Sequence, residues 1–104
     1  MRDLGIEAWK AGVKADENAV VLDVRTPGEC ATGIIPNALV IDLMKGPGFI
    51  AEVEALDKDK TYYIYCRSGN RSGKACLIMQ NMGFKTFNLI GGIMQWDEPL
   101  AQLV

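Results

Sequence analysis

Apolar residues recur along this chain in two rhythms. Within the segment 6–14, Ile6, Trp9 and Val13 lie three and four apart, the spacing of one helical stripe. Ala19-Val20-Val21-Leu22 is instead an unbroken apolar run, the mark of a strand covered on both faces. Leu39-Val40-Ile41 is another short run of that kind, and Lys45-Gly46-Pro47-Gly48 after it reads as loop. Phe49, Ile50, Val53 and Leu56 return to helical spacing, with Glu52 and Glu54 outward. Asp57-Lys58-Asp59-Lys60 is a solvated charged turn, and Thr61-Tyr62-Tyr63-Ile64-Tyr65 is β-branched and aromatic, as a buried strand should be. Between Gly73 and Met82, the residues Ala75, Cys76, Met79 and Met82 share one helical face, and Gly83 suits the position just past a helix end. The segment 84–89 alternates as a last strand, Trp96 reads as a core anchor, and no pattern places the tail 97–104. Strands at 19–22, 39–41, 61–65 and 86–89 with helices between them predict an α/β domain. Its sheet is mostly parallel, of four to five strands, with helices on both faces.

At 104 residues the chain is expected to form a single domain over 1–104. That length buries roughly two-thirds of the unfolded surface, enough for one core. The net charge of −2 argues against a nucleic-acid partner, which calls for a basic face. No apolar run reaches membrane-spanning length, and Met1-Arg2-Asp3-Leu4-Gly5 lacks a signal core, so a cytoplasmic protein without a membrane partner is expected; a removed leader would leave no trace. Three cysteines (Cys30, Cys66, Cys76) without paired spacing make no disulfide framework. With no histidine and no CxxC there is no expected metal site and no Cys–His dyad, and no cofactor is implied.

The chemistry is concentrated where the third long strand ends. Cys66 follows Tyr65 directly, and Arg67-Ser68-Gly69-Asn70-Arg71-Ser72 leads into the next helix. Backbone N–H groups at a helix N-terminus are unpaired and face outward. A tight loop feeding that end can aim several of them at one point, as a nest for an anion. A sulfur placed there is stabilised as thiolate, which lowers its pKa and makes it a nucleophile. Arg67 and Arg71 add positive charge, Gly69 permits a positive φ, and Ser72 is a candidate helix cap. A cysteine that is merely a small buried hydrophobe is not ordinarily followed by such a loop. Cys76, on the apolar face of its helix, fits that plainer description.

Cys66-Arg67-Ser68-Gly69-Asn70-Arg71-Ser72 resembles the active-site loop of the rhodanese (sulfurtransferase) family. Two further stretches resemble that family in order and spacing. One is Asp23-Val24-Arg25-Thr26-Pro27-Gly28-Glu29, similar to its Asp-x-Arg followed by Pro-x-Glu. The other is Leu89-Ile90-Gly91-Gly92-Ile93-Met94-Gln95-Trp96, similar to its Leu-x-Gly-Gly-x-x-x-Trp ending. The resemblance implies that Arg25 and Glu29 pair to brace the corner after the second strand. It leaves Asp23 two roles of equal weight, orienting an arginine or the loop at the mouth of the site, or capping the following turn. Gly91 and Gly92 allow close backbone approach beside the active-site loop. Gly33-Ile34-Ile35-Pro36-Asn37-Ala38 resembles the family's Gly-His-Ile-Pro-Gly-Ala with two departures: the histidine is Ile34, and the second glycine is Asn37, which tolerates left-handed geometry. Cys30 stands where the family more often has an aromatic residue. It is read first as a small buried residue and second as a resolving thiol for Cys66.

The resemblance implies a single-domain sulfurtransferase. Cys66 is its catalytic residue, carrying a persulfide. The segment Arg67, Ser68, Gly69, Asn70, Arg71 and Ser72 binds the substrate, and Asp23, Arg25 and Glu29 support it. The implied partners are a small anionic sulfur donor, thiosulfate or a persulfide, and an acceptor that is cyanide, a thiol or a protein cysteine, a thioredoxin-like one among the candidates. Two alternatives share the fold. A cysteine-dependent phosphatase or arsenate reductase uses a cysteine, five intervening residues and an arginine, whereas four residues separate Cys66 from Arg71 here, and Tyr65 precedes the cysteine where phosphatases commonly have histidine. A non-catalytic binding module of this fold tends to lose the cysteine, which this chain keeps.

Overall fold

The computed structural model describes residues 3–103. Five strands form one sheet, β1 (Asp3–Leu4), β2 (Ala19–Asp23), β3 (Leu39–Val40), β4 (Thr61–Tyr65) and β5 (Lys85–Leu89), in the order β1-β5-β4-β2-β3. Every pairing is parallel. The helices are α1 (Ile6–Ala15), α2 (Pro27–Cys30), α3 (Pro47–Glu54) and α4 (Asn70–Asn81). The expected α/β architecture is therefore present. The two-residue edge strand β1 escaped the sequence reading, because two residues are too few to display a period.

Side-chain parity across the central strands divides the core in two. Tyr62 and Ile64 of β4 pack with Leu22, Val24, Phe49, Val53, Ala75, Cys76 and Met79, on the α3/α4 side. Tyr63 and Tyr65 face the other way, with Trp9 of α1, Val21, Ile35 and Leu89. Trp9 is the hub of that second layer, meeting the rings of Tyr63, Tyr65 and Trp96 edge-on at 6.1, 6.2 and 6.4 Å. Trp96 thus does anchor a core, though it is only half-buried. Parity also aims Cys66: it continues the row 62, 64 onto the α4 side.

Helix boundaries differ from expectation in two informative places. The stretch read as loop at 45–48 holds the end of a single 3₁₀ turn (Leu43–Lys45) and the start of α3, because Pro47 is suited to the first turn of a helix. α4 starts at Asn70, not Gly73, so Ser72 lies inside its first turn and is not its cap; Gly69, at φ 103°, occupies the cap position. Asn37 sits at φ 70°, as its place in the Gly-Ile-Ile-Pro-Asn-Ala turn requires. The tail, unplaced from sequence, straps across the molecule: Ala101 and Ile34 exchange backbone hydrogen bonds of 2.8 and 2.9 Å as an antiparallel bridge. Lys10 of α1 holds Asp97 at 3.0 Å and also pairs with Glu98. No helix among the described residues is long and apolar enough to cross a membrane.

Candidate active site

All strands are parallel, so their C-terminal ends share one edge of the sheet, and there the loops after β2, β4 and β5 meet. Cys66 is the first residue beyond β4. Its Sγ accepts a hydrogen bond from the Gly69 N–H at 3.0 Å and lies 3.4 Å from Ser72 Oγ. Burial pushes the Cys66 thiol up, but the hydrogen bonds outweigh it: the Ser72 hydroxyl and the N–H groups of Ser72, Gly69 and Ser68 leave its pKa below the ordinary thiol value. The other two cysteines are fully buried, and burial raises both to about 11. All three are free thiols.

The ending 89–96 is built against this loop. Gly92 (φ 62°) lies so close to it that a Cβ there would stand 2.5 Å from the Cys66 carbonyl oxygen and collide with that of Arg67. The Ile93 N–H donates to the Cys66 carbonyl at 2.9 Å. The close approach expected of Gly91 and Gly92 is realised, with Gly92 the tighter of the two. From the α4 side, Ser72 Oγ is 2.5 Å from Asn88 Oδ1, and Asn88 Nδ2 reaches Asp3 Oδ1 at 3.0 Å and the Gly69 carbonyl at 3.2 Å. Neither Asp3 nor Asn88 was singled out from sequence. Asn88 carried a usable signal, a polar residue at an inward position of β5; Asp3 carried none.

The expected pairing of Arg25 with Glu29 is not what the structure contains. Arg25 turns back onto Asp23, with Nη2 at 2.8 Å and Nε at 3.0 and 3.1 Å from the two carboxylate oxygens, and Nη2 also donates to the Gly33 carbonyl at 2.8 Å. Both roles open to Asp23 are filled, because its carboxylate also accepts the Arg25 N–H at 2.9 Å and so caps the turn. The physical reason is local: β2 ends at Asp23 and the chain bends at Arg25, bringing the two side chains together, while Glu29 is the third residue of α2 and is taken by Thr26 and Arg71. There it completes a capping box with Thr26 and takes Arg71 through two contacts, Nη1–Oε1 at 2.6 Å and Nη2–Oε2 at 2.7 Å. That guanidinium lowers the Glu29 pKa to about 2. Arg71 therefore braces the loop against α2, its charge largely met by a carboxylate.

Arg67 is exposed, and it lines a groove of about 400 Å³ together with Glu29, Thr32, Ile93, Met94 and Leu100. Ser68 and Gly69 complete the loop between Arg67 and α4, whose first residue is Asn70. A smaller, more apolar pocket of about 190 Å³ lies beneath α1, among Trp9, Val21, Ile35 and Trp96, and is lined by no residue of the 66–72 loop. No group of three or more cysteine, aspartate or glutamate residues able to hold a metal ion exists among the described residues. The arrangement can hold a thiolate, or one further anionic atom beyond it, in a ring of N–H donors.

The family model described as "Rhodanese-like domain" matches residues 6–99. A protein of Allochromatium vinosum named "Sulfurtransferase" is 41% identical over 97 residues, covering 92% of this chain and 88% of its own length. The crystal structure of a rhodanese-like domain protein from Staphylococcus aureus superposes with a TM-score of 0.86 at 30% identity, covering all of both chains. A Cupriavidus taiwanensis protein named "tRNA uridine(34) hydroxylase" is 32% identical over 97% of this chain but only 38% of its own length.

Proposed function

The chain belongs to the rhodanese-like family, and on that premise we propose that it is a sulfurtransferase working through a persulfide on Cys66. One observation carries the reading: Sγ sits in a nest of N–H donors at the N-terminus of α4, with the Gly69 N–H at 3.0 Å. The Cys66 thiolate attacks the outer sulfur of thiosulfate, or of a persulfide donor. A sulfur–sulfur bond forms as the donor's own breaks, and sulfite or a thiolate leaves with the electron pair. The loop N–H groups then hold the charge of the terminal sulfur. An acceptor (cyanide, a small thiol or a protein cysteine) attacks that sulfur, and Cys66 departs as thiolate, closing a double displacement. Arg67, unlike Arg71, keeps its charge free to draw an anionic donor. A cytoplasmic setting, where thiols stay reduced, suits this chemistry.

The phosphatase or arsenate reductase reading has less support. Arg71 spends both terminal nitrogens on Glu29 and so does not close a ring around a tetrahedral oxyanion. A silent binding module would have no use for a thiol whose pKa is held down. The hydroxylase activity named for a longer relative asks for a nucleic-acid substrate, which a net charge of −2 does not favour.

The experiment is intact-protein mass spectrometry after thiosulfate, then after cyanide. A gain of one sulfur atom, about 32 Da, removed by cyanide and absent from Cys66→Ser, is expected. A mass unchanged by thiosulfate, polysulfide and cysteine persulfide alike would sink the reading.

A further inference from the structure

Ser72 has one hydroxyl proton and two claimants for it. Its Oγ lies 2.5 Å from Asn88 Oδ1 and 3.4 Å from Cys66 Sγ. Ser72 and Asn88 are both buried, so water does not resolve the contest. The way the Asn88 amide faces decides it. Asn88 Nδ2 has two partners, Asp3 Oδ1 at 3.0 Å and the Gly69 carbonyl oxygen at 3.2 Å. A carboxylate and a carbonyl can only accept, so both require the amide's N–H side. The amide cannot turn over without losing both bonds, and its oxygen is left facing Ser72 purely as an acceptor. Ser72 therefore donates to Asn88. What it then offers Cys66 is a lone pair, which accepts a thiol S–H; to donate to a thiolate it must leave Asn88. The fold assembles this chain by register: Asp3 and Asn88 are cross-strand partners, and Asn88 is the partner of Ile64, whose side of the sheet Cys66 shares.

We propose that Asn88 is a positioning residue for Cys66: locked by Asp3 and the Gly69 carbonyl, it competes for the Ser72 hydroxyl proton, so that Ser72 donates to a bare Cys66 thiolate only by breaking its hydrogen bond to Asn88. The N–H groups of Ser68, Gly69 and Ser72 remain uncontested for the thiolate. In so far as it concerns turnover, the inference rests on the sulfurtransferase reading. In a persulfide the inner sulfur is neutral, so Ser72 stays on Asn88 in both the resting thiol and the loaded protein. The network disfavours only the bare thiolate, and so favours the form that holds the extra sulfur. Among the charged groups of the neighbouring elements, Arg71 of α4, paired with Glu29 of α2, acts on Cys66 through its charge; Arg67 is its neighbour in the chain, and the Asp23–Arg25 pair sits at the end of β2. A substitution at Asn88 leaves all of them in place.

The test is the pH dependence of iodoacetamide capture at Cys66, read on its peptide by mass spectrometry so that Cys30 and Cys76 do not interfere. The chains compared are the unmodified protein, Asn88→Leu, Ser72→Ala and the double variant. Asn88→Leu, which cannot accept, is expected to lower the midpoint by about 1 pH unit, because Ser72 can then donate freely to the thiolate. The same change in the Ser72→Ala background is expected to leave the midpoint where it was. Asp3→Ala, on the exposed edge strand, frees the amide and is expected to give a smaller fall that also vanishes without Ser72; it serves if Asn88→Leu does not fold. A midpoint that rises or stays put in a variant that circular dichroism finds folded, or a shift that survives Ser72→Ala, would overturn the proposal. None of these readings involves sulfur transfer. A protein that never takes up sulfur yet shows this pattern would leave the positioning role standing and remove the sulfurtransferase reading alone.

Discussion

At the scale of single residues, the two arginines of the candidate site are placed differently. Two arginines follow Cys66 within a few residues; Arg67 has no ion-pair partner among the described residues, whereas Arg71 is bound to Glu29 with both side chains about 30% exposed. The pair has a pH signature whose sign is determined. The Glu29 pKa is lowered from 4.5 to about 2, first by the hydrogen bond from Arg71 and against the pull of burial. A carboxylate whose folded pKa lies below its unfolded value contributes stability above the unfolded value and loses it as pH falls through the folded one. Comparing Glu29→Gln with the unmodified protein in urea should therefore show a deficit of about 1–2 kcal/mol at neutral pH, after allowance for solvent exposure. That deficit should shrink between pH 5 and pH 2, the window set by the two pKa values. A deficit independent of pH would assign Glu29 a packing role only. Arg67→Ala is expected to leave stability unchanged and to raise the KM for thiosulfate several-fold, with less effect on an uncharged acceptor step. An unchanged KM would show that the N–H nest alone draws the donor.

At the scale of elements, the loop after β4 keeps its shape because other backbone packs directly on it. Gly92 is the point of closest approach, with the Cys66 and Arg67 carbonyls where its Cβ would be, at a φ of 62° that L side chains resist. Gly92→Ala should cost about 2–4 kcal/mol in urea unfolding, since the obstacle is backbone and cannot swing aside. It should also raise the pH midpoint of Cys66 alkylation, because a displaced loop no longer aims its N–H groups. Gly5→Ala, where a Cβ meets nothing within 4 Å, is the control that should be nearly silent. Much of this element was legible in the chain: Cys66 after an apolar strand, a glycine in the loop, paired glycines after the last strand. The start of α4 was not. Read as a cap, Ser72 would have faced the helix end, but with Gly69 at φ 103° as cap the helix begins three residues earlier. That places Ser72 one turn in, between Cys66 and Asn88.

At the scale of the whole molecule, a strap of residues 97–101 ties α1 to the 33–34 turn, beside the sheet edge that carries Cys66. The strap is tied at Lys10 and at the Ile34–Ala101 bridge, and Leu100 packs over Gly33, whose carbonyl Arg25 holds. Ala101→Pro removes the N–H that donates to Ile34 at 2.8 Å. It should lower unfolding stability by about 1–2 kcal/mol, measured in urea. Sulfur loading of Cys66 should persist, since the strap binds the 33–34 turn and not the 66–72 loop. Loss of loading in a folded Ala101→Pro protein would mean that the strap holds the loop as well.

What the sequence determined by itself is what depends on near neighbours. Periodicity marked β2, β4 and α1, because burial on one or two faces dictates which residues may be apolar. The run from Cys66 to Ser72 could be read as a nest of N–H groups around the sulfur, because such a nest is made from consecutive backbone. Asn37 was readable as a left-handed turn residue, because that conformation is a property of one residue. Tertiary structure decided the pairings. Arg25 joined Asp23, Arg71 joined Glu29, and Asp3, Asn88, Ser72 and Cys66 came into one line across 85 residues. Such partners are chosen by strand register and helix start, and a shift of one residue in either would give each side chain a different neighbour.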